Sequence, residues 1–290
     1  MRLFTLLFVF ITTFCVTQDD LLKELNQNES DEPNFVSSTF NGSRLINGQT
    51  VETRNAGELE FIFAHRFGRI NDGIYEFFGL DQAYMRIGLE YGITDRVGVG
   101  IGRNSFDKTV DTYLRYKLLK QSSSMPITLT AYGNTGVKFS PKKEDATFDI
   151  AFQDRVSYVG QLLIARKFSP ALSLQLMPTF VHKNTVDQAI EINDQFAMGI
   201  GGRVKVSRMV SITSEYYHRF DVPESNPYHN SFGIGVDLET GGHVFQIVLT
   251  NTRGLTERAF ITETTGDFFG GDLHLGFNIT RNFQLKKNSK

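Results

Sequence analysis

The chain has 290 residues, with 30 lysines and arginines against 32 aspartates and glutamates, and a formal net charge of −2. This balance provides neither the basic surface of a nucleic-acid-binding protein nor an acidic tail. Phenylalanine and glycine each occur 26 times, proline only 7 times and tryptophan not at all. Such a composition favours strands, tight turns and bends over helices.

The first 17 residues have the organisation of a secretory signal peptide. Arg2 provides a positive start, residues 3–14 are predominantly apolar, and a polar sequence begins at Gln18. The apolar stretch is shorter than the roughly 20 residues that a spanning helix needs. We therefore predict export across the inner membrane, with cleavage near Thr17 or Gln18.

Cys15, the only cysteine, lies inside this predicted signal peptide. The mature chain is therefore expected to contain no disulfide, no thiolate metal ligand and no cysteine nucleophile. Acylation of Cys15 as a lipoprotein is disfavoured because the preceding residue, Phe14, is bulky.

Residues 18–56 form a polar segment that we expect in the periplasm. From residue 34 onward this segment is either a tether or tucks into the domain that follows.

From residue 57 to residue 283 apolar and polar residues alternate with a period of two. Ala83, Met85 and Ile87, for example, share one face of a strand, and Tyr84 and Arg86 the other. Strict alternation predicts strands with two different faces, and most segments have roughly the 9–11 residues that a tilted strand needs to cross a bilayer. Twelve such segments are predicted, at 57–67, 83–92, 96–103, 110–118, 127–138, 156–167, 172–183, 195–206, 210–220, 231–239, 243–251 and 271–283.

The links between these segments alternate in length. The long links are 68–82, 139–155, 184–194, 221–230 and 252–270, and short turns such as 93–95, 169–171 and 207–209 separate them. Outer-membrane barrels have short periplasmic turns and longer external loops. The alternating faces alone fit a soluble sandwich too. The signal peptide, the even strand number, the link lengths and the near-terminal Phe283 favour a membrane.

We therefore predict an all-β protein: an antiparallel up-and-down transmembrane β-barrel of about twelve strands in the outer membrane of a Gram-negative bacterium. The barrel spans 57–283, and a polar tail follows at 284–290. Both ends of the barrel are expected on the periplasmic side, and the long links are expected to face outward.

The polar face of the strands is predicted to line the lumen. We interpret its nearly balanced acids and bases either as a paired network that fills the interior or as a selectivity lining for solutes. The predicted lumen residues are Glu58, Glu60, Arg66, Tyr84, Arg86, Glu90, Asp111, Tyr113, Arg115, Lys117, Gln161, Gln175, Arg203, Lys205, Glu215, Tyr217, Arg219, Asp237, Glu239, Gln246 and His274.

Other motifs give no catalytic, cofactor or metal site. The glycines at 98, 100 and 102 occupy one strand face with no helix after them, unlike a nucleotide-binding turn. The six histidines lack metal-ligand spacing, and neither HExxH nor a serine elbow occurs. A Ser–His pair assembled across strands stays open as an alternative.

Several stretches resemble an uncharacterised bacterial β-barrel family that is defined only as a domain of unknown function. The resemblance covers nearly all of the mature chain and implies the same outer-membrane barrel, but it supplies no substrate and no catalytic residue. The stretches are Asn-Phe-Val-Ser-Ser-Thr-Phe from residue 34, Leu-Ile-Asn-Gly-Gln-Thr-Val-Glu-Thr from 45, His-Arg-Phe-Gly-Arg from 65, Phe-Gly-Leu-Asp-Gln-Ala from 78 and Leu-Glu-Tyr-Gly-Ile-Thr-Asp-Arg from 89.

Three functions follow as hypotheses. The first is a narrow, porin-like channel for small solutes, constricted by bulky lumen side chains and by residues 34–56 if these enter from the periplasmic rim. The second is a non-conducting structural or partner-binding barrel, and the third an enzyme that acts on lipid. We expect no enzyme activity and no cofactor. The expected partners are the lipid bilayer, the barrel-assembly machinery and a small solute, but no nucleic acid.

Overall fold

Twelve antiparallel strands close into one barrel in the computed structural model, which describes residues 34–140 and 150–285. Each strand pairs with its neighbours in sequence, and β12 returns to pair with β1. The predicted signal peptide and all but two residues of the predicted tail lie outside the described residues. The strands are β1 Glu58–Arg69, β2 Ala83–Gly92, β3 Val97–Asn104, β4 Val110–Leu119, β5 Thr128–Val137, β6 Val156–Lys167, β7 Leu172–Lys183, β8 Asp194–Lys205, β9 Val210–Arg219, β10 Phe232–Thr240, β11 His243–Thr250 and β12 His274–Gln284.

The predicted twelve-stranded antiparallel barrel is thus confirmed, and the strand ends differ from the predicted ones by at most three residues. The largest difference is at β12, which begins at His274 rather than at residue 271. Gly271 there has a φ of 88°, in the left-handed region, so the chain turns before it can join the sheet. At the same level the pairing of β1 with β12 shifts between Arg66 and Arg69.

Side chains alternate between the outer wall and the lumen along every strand. Apolar side chains such as Ile87, Leu114 and Ile247 are exposed on the outside, Ile247 to 65%. The lumen side chains next to them in sequence, such as Arg86, Arg115 and Gln246, are buried. The core of the protein therefore lies inside the barrel, and its apolar surface faces outward.

The side chains that line the lumen are not all polar, in contrast to the predicted polar lining. One sector, on β4 to β9, carries an apolar cluster, because a helix from a long loop and residues 40–51 pack against it and exclude water. Its strand residues are Tyr113, Tyr132, Val159, Leu163, Ala165, Met177, Val181, Ala197 and Tyr217.

The two rims of the barrel differ as predicted. The short-turn rim carries 93–96, 120–127, 168–171, 206–209 and 241–242, and the long-loop rim carries 70–82, 105–109, 138–140, 150–155, 184–193, 220–231 and 251–273. The link 105–109 breaks the length rule, since it is shorter than 120–127. Gly241 and Gly242 form a two-residue hairpin turn with positive φ angles of 37° and 96°.

The loop 251–273 contains a short helix, α1 (Glu257–Thr262), and all six of its residues are buried. Single turns of 3-10 helix occur at Ile70–Asp72, Phe106–Lys108 and Gln153–Arg155, and a kinked stretch lies at Ile74–Gly79. In the part of the chain that the structure describes, no helix has the length and apolarity to span a membrane.

Candidate functional site

Residues 43–50 form a hairpin inside the lumen, which we call the lumen hairpin. The Leu45 amide donates to the Gly48 carbonyl at 2.9 Å, and the Thr50 amide donates to the Ser43 carbonyl at 2.9 Å. Every residue of the hairpin except Arg44 is buried, and Arg44 is half-buried. The chain enters and leaves on the short-turn rim, where the Val36 amide donates to the Gln121 carbonyl at 3.0 Å. Residues 39–51 of the segment predicted to be periplasmic therefore lie within the barrel, because the polar lumen supplies partners for their backbone. Residues 18–33 of that segment lie outside the described residues.

The tip of the lumen hairpin is held by one carboxylate. The backbone amides of Ile46, Asn47 and Gly48 all donate to Glu215, at 3.2, 2.8 and 3.0 Å. Successive amides converging on an anion form a nest, which here is filled by the side chain of β9. Glycine is required at residue 48, since a Cβ there would lie 2.3 Å from the Tyr217 hydroxyl oxygen.

The hairpin reaches across the whole lumen. On one side the Gln246 amide nitrogen donates to the Leu45 carbonyl at 2.6 Å, and Arg66 donates to the Asn47 side chain at 2.9 Å. On the opposite side the Gln175 amide donates to the Gln49 carbonyl at 2.7 Å. Thr130 also donates there, to the Val51 carbonyl at 2.9 Å. Contacts from β1, β5, β7, β9 and β11 thus enclose the segment.

The ends of the segment are anchored near the short-turn rim. Ser43 donates to Glu60, which also lies 3.6 Å from the Arg54 guanidinium. Lys117 lies 3.8 Å from Glu52, and Arg203 donates to Asn41. Through these contacts, predicted lumen residues of β1, β4 and β8 hold the residues at both ends of the hairpin segment.

Two further ion pairs join β2 and β4, which lie on either side of β3, and one of their members, Arg115, also donates to the Gln49 side chain and the Thr50 carbonyl of the hairpin. Arg86 on β2 contacts Asp111 on β4 through two nitrogens, at 2.5 and 3.1 Å. Arg115 on β4 lies 3.0 Å from Glu90 on β2. All four side chains are buried, and an unpaired buried charge is energetically costly. In each pair the two charges of the barrel wall neutralise each other.

The other half of the lumen is filled from the long-loop rim by residues 251–273, which we call the lid loop. Phe260 and Ile261 of α1 are fully buried in the apolar cluster, where the Phe260 ring meets the Tyr217 ring with centroids 5.2 Å apart. Glu257 faces the hairpin: Gln49 donates to it at 2.6 Å, and Arg44 lies 3.4 Å away. Hairpin and lid loop therefore meet inside the barrel.

An ion cluster fixes the lid loop to the strands. Arg258 contacts Asp107 at 2.7 Å and also Glu263, and Lys138 lies 3.4 Å from Asp107. Lys183 contacts Glu191 and lies 3.6 Å from Glu263. We call these residues the rim ion cluster: Asp107, Lys138, Lys183, Glu191, Arg258 and Glu263.

The charges of this cluster shift the pKa values of its loop members. Burial alone would raise the pKa of Glu263, but Arg258, Lys183 and Lys138 outweigh it and hold that pKa at about 2. Burial opposes the charge of Arg258 as well, yet Glu263 and Asp107 raise its pKa above the usual value. Both groups stay ionised at neutral pH.

The structure brings most of the predicted lumen residues into these contacts. Tyr84 lies beside Arg253 of the lid loop, which donates to its hydroxyl at 3.3 Å, and Arg219 donates to the Thr262 carbonyl at 3.4 Å. Lys205 is half-buried and Glu239 exposed near the short-turn rim, outside the central network. The predicted residues that face the filled lumen are Glu60, Arg66, Tyr84, Arg86, Glu90, Asp111, Tyr113, Arg115, Lys117, Gln161, Gln175, Arg203, Glu215, Tyr217, Arg219, Asp237, Gln246 and His274.

The sequence allows residues 34–56 to enter the lumen, but it predicts neither the hairpin within them nor the rim ion cluster. The lumen hairpin had a signal, since Asn47-Gly48 is a favoured hairpin turn pair, but the flanking residues lack a strand-like alternation. The rim ion cluster had no comparable signal, because its members are far apart in sequence. Within residues 34–140 and 150–285, no cluster of three His, Cys, Asp or Glu side chains could hold a metal ion.

The solved structures to which this chain is similar include an outer membrane channel and a porin. An outer membrane channel from Pseudomonas putida F1 is 12% identical, with a TM-score of 0.48, and the match covers 80% of this chain and 98% of that chain. A KdgM porin is 7% identical, with a TM-score of 0.46, over 78% of this chain and 99% of that chain. A comparison with curated proteins finds no match.

A family model described as a membrane-bound beta barrel domain (DUF5777) matches residues 40–283, from just before the lumen hairpin to the end of the barrel. The match confirms the resemblance drawn from the sequence. The chain belongs to this family of membrane-bound β-barrel domains of unknown function.

Proposed function

We propose that the protein is a porin-like channel of the outer membrane for small solutes, held closed by its own lumen hairpin and lid loop. The observation that carries this proposal is that the hairpin crosses the lumen and contacts opposite walls. Beside it remains a cavity of about 20 Å³, lined by Phe40, Arg44 and Asp237 among others. A space of this size holds about one water molecule. A path for solutes therefore requires that the hairpin move.

The chemistry of the contacts supports a movable closure. The hairpin is held mainly by hydrogen bonds, each worth only about 0.5–1.5 kcal/mol net when water can replace the lost partner. Without the hairpin the pair Arg86–Asp111 keeps its contacts, and Arg115 keeps Glu90 while water replaces its bonds to Gln49 and Thr50. A vacated lumen would therefore keep a charged, hydrated lining.

The test is the conductance of the mature protein in planar lipid bilayers. We expect the intact protein to be closed or nearly so, and deletion of residues 18–52 to produce discrete conducting steps. Deletion of 18–33 is the matched control, because it keeps the hairpin, and it should leave the protein closed. Since the lid loop still fills half of the lumen, adding Arg258→Ala to the longer deletion should enlarge the steps.

Two outcomes would contradict the proposal. A large conductance of the intact protein would mean that the lumen is not closed by the hairpin. A folded barrel that stays closed after deletion of 18–52, even with Arg258→Ala, would mean that it does not conduct.

A non-conducting, partner-binding barrel is the second candidate, favoured by the nest of three amides around Glu215. Such a tight attachment fits a permanent core as well as a closed gate. If deletion of 18–52 prevents folding, and cross-linking of the hairpin to β9 changes no transport in cells, the hairpin is structural.

For the third hypothesis, an enzyme acting on lipid, we expect no fatty acid release from vesicles that contain the protein.

Residence in the outer membrane, with the long-loop rim outward, is part of the same proposal. The barrel-assembly machinery would then insert the chain after export. A peptide tag inserted beside Phe269, which is 95% exposed on the long-loop rim, should be labelled on intact cells. A tag between Gly241 and Gly242 should be labelled only after lysis, and the reverse pattern would invert the orientation.

A further inference from the structure

A cavity at the long-loop rim lies beside the rim ion cluster, and we call it the rim cavity. Its volume is about 700 Å³, within the range of roughly 300–1,000 Å³ that sites for small molecules have. The Lys138 side chain at its edge is 38% exposed, so the cavity is open to solvent. Five of the six cluster residues line it: Lys138, Lys183, Glu191, Arg258 and Glu263.

Two lysines of the barrel wall reach the rim cavity from either side of β6. Val137, just before Lys138, pairs with Val156 of β6. Lys183 of β7 pairs with Ser157, the next residue of β6. Neighbouring strands lie about 4.8 Å apart, so the backbones at the two lysines are separated by about 10 Å. Two lysine side chains can span that distance, and one carboxylate between them meets both ammonium groups.

The carboxylate that lies among these cations belongs to the lid loop. Glu263 directly follows α1, and a carboxylate oxygen lies 3.6 Å from Lys183 Nζ. Lys138 acts on it as well, since Arg258, Lys183 and Lys138 together hold the pKa of Glu263 at about 2. The rim cavity thus already binds a carboxylate, which is attached to a loop of the protein rather than to a solute.

The charges of the rim ion cluster are balanced, with three cations and three anions. An additional anion would leave a negative charge uncompensated in a largely buried site, which is costly. A solute carboxylate avoids this cost when it replaces the carboxylate of Glu263, which then turns toward water. Arg258 keeps its partner Asp107, at 2.7 Å, in this exchange.

We propose that the rim cavity binds a small solute through its carboxylate, which pairs with Lys138 and Lys183 in place of Glu263. Hydroxyl groups on the solute fit the remaining lining, to which Thr185 and Tyr228 contribute hydroxyls. The exchange removes the contact between Glu263 and the barrel wall, so binding loosens the lid loop. Entry of the solute into the lumen after this step rests on the proposed function, whereas the binding itself does not depend on conduction.

The test is isothermal titration calorimetry of the unchanged mature protein in detergent, with gluconate as the probe. Gluconate carries one carboxylate and several hydroxyl groups, and sorbitol is the matched control because a hydroxyl replaces the carboxylate. A hydrogen bond to a charged group is worth about 1.5–3 kcal/mol, so we expect gluconate to bind at least about tenfold more tightly than sorbitol. The titration should saturate near one gluconate per protein. Gluconate, but not sorbitol, should also shift the emission of a Phe260→Trp variant to the red.

Removal of the internal competitor should strengthen binding. In Glu263→Gln no lid-loop carboxylate competes for the two lysines, so we expect gluconate to bind about tenfold more tightly than to the unchanged protein. Lys183→Gln should abolish binding. The double variant Lys183→Gln/Glu263→Gln keeps the net charge of the cluster and should not bind either. The matched control is Lys120→Gln, which removes an exposed lysine from the short-turn rim and should leave binding unchanged.

Equal affinities for gluconate and sorbitol, or weaker binding of gluconate to Glu263→Gln, would overturn the proposal. Saturation by inorganic phosphate but not by gluconate would overturn the assignment of the ligand. Failure of the channel is a separate result. Saturable binding of gluconate supports the site even when deletion of 18–52 yields no conductance, and conductance after that deletion does not rescue a site that fails to bind.

Discussion

The lumen hairpin and the lid loop fill the same barrel from opposite rims, but different forces hold them. The hairpin is held by hydrogen bonds from uncharged and charged side chains around the whole wall, above all by Glu215. The lid loop is held by one apolar contact and by polar contacts that reach from Tyr84 on β2 to Arg219 on β9. Its Phe260 and Ile261 pack on an apolar cluster, and Arg258 joins it to acidic side chains at the rim.

This difference indicates which conditions release each part. A nest of backbone amides depends on geometry, so the hairpin is sensitive to steric changes at its tip. A cluster of buried charges depends on every member being ionised and present, so the lid loop is sensitive to charge removal and to acid. Single substitutions can change one of these forces at a time.

The largest effect is expected from removing Arg258. In Arg258→Ala, Asp107 and Glu263 lose their closest cation while remaining largely buried. Breaking a buried ion pair costs about 3–5 kcal/mol, and we expect about 3 kcal/mol because Lys138 and Lys183 still neutralise part of the charge. The measurement is urea unfolding in lipid vesicles, followed by the emission of a tryptophan introduced as Phe260→Trp.

The control for this change is Arg208→Ala, which removes the same charge from an exposed position on the short-turn rim. It should change the unfolding free energy by no more than about 0.5 kcal/mol. Equal losses in the two variants would mean that the rim ion cluster does not hold the lid loop.

The hairpin tip is tested by Gly48→Ala. The added Cβ would lie 2.3 Å from the Tyr217 hydroxyl oxygen and 3.2 Å from a Glu215 oxygen. Overpacking of this kind costs about 1–3 kcal/mol, and it should displace the hairpin and raise conductance. Removing the hydroxyl with Tyr217→Phe should recover most of the loss in the double variant.

Gly133→Ala is the control for this substitution, since its Cβ would meet nothing within 4 Å. It should leave the unfolding free energy and the conductance nearly unchanged. Failure of Tyr217→Phe to restore Gly48→Ala would show that the close contact at the tip is not what limits the hairpin.

The barrel itself could be predicted from the sequence because its signal is local. A two-residue period places Tyr84 and Arg86 on one face and Met85 and Ile87 on the other, whatever the rest of the chain does. The same alternation places Arg86, Asp111 and Glu215 on the lumen face, although it does not indicate their partners.

The filling of the lumen could not be predicted in the same way. Nothing near Glu215 indicates that its partners are amides about 170 residues earlier in the chain. Likewise, Val159, Leu163 and Met177 resemble ordinary strand residues in the sequence, and their apolar lumen face is covered by α1 and by Leu45 and Val51. These features depend on contacts between distant segments, which a periodicity does not contain.

The smallest effect is expected from pH, and it acts on the lid loop. The pKa of Glu263 lies at about 2 in the folded protein, against an ordinary value of 4.5, because Arg258, Lys183 and Lys138 outweigh its burial. A depressed pKa stabilises the fold above the unfolded value and loses that contribution as the pH falls toward the folded value. Between pH 7 and pH 4 the lid loop should therefore lose about 1 kcal/mol, and more toward pH 2.

The emission of the Phe260→Trp variant reports this change, since it should shift to the red as the ring leaves the apolar cluster. Other acids titrate in the same window, among them Asp272, whose pKa is lowered by a hydrogen bond from Asn71. The comparison with Phe260→Trp in a Glu263→Gln background isolates Glu263, because glutamine cannot titrate. The red shift between pH 5 and pH 2 should be smaller in that background. If the Phe260→Trp protein titrates identically with and without Glu263→Gln, the acid sensitivity belongs to groups outside the rim ion cluster. The apolar contacts of α1 would then be the main force that holds the lid loop.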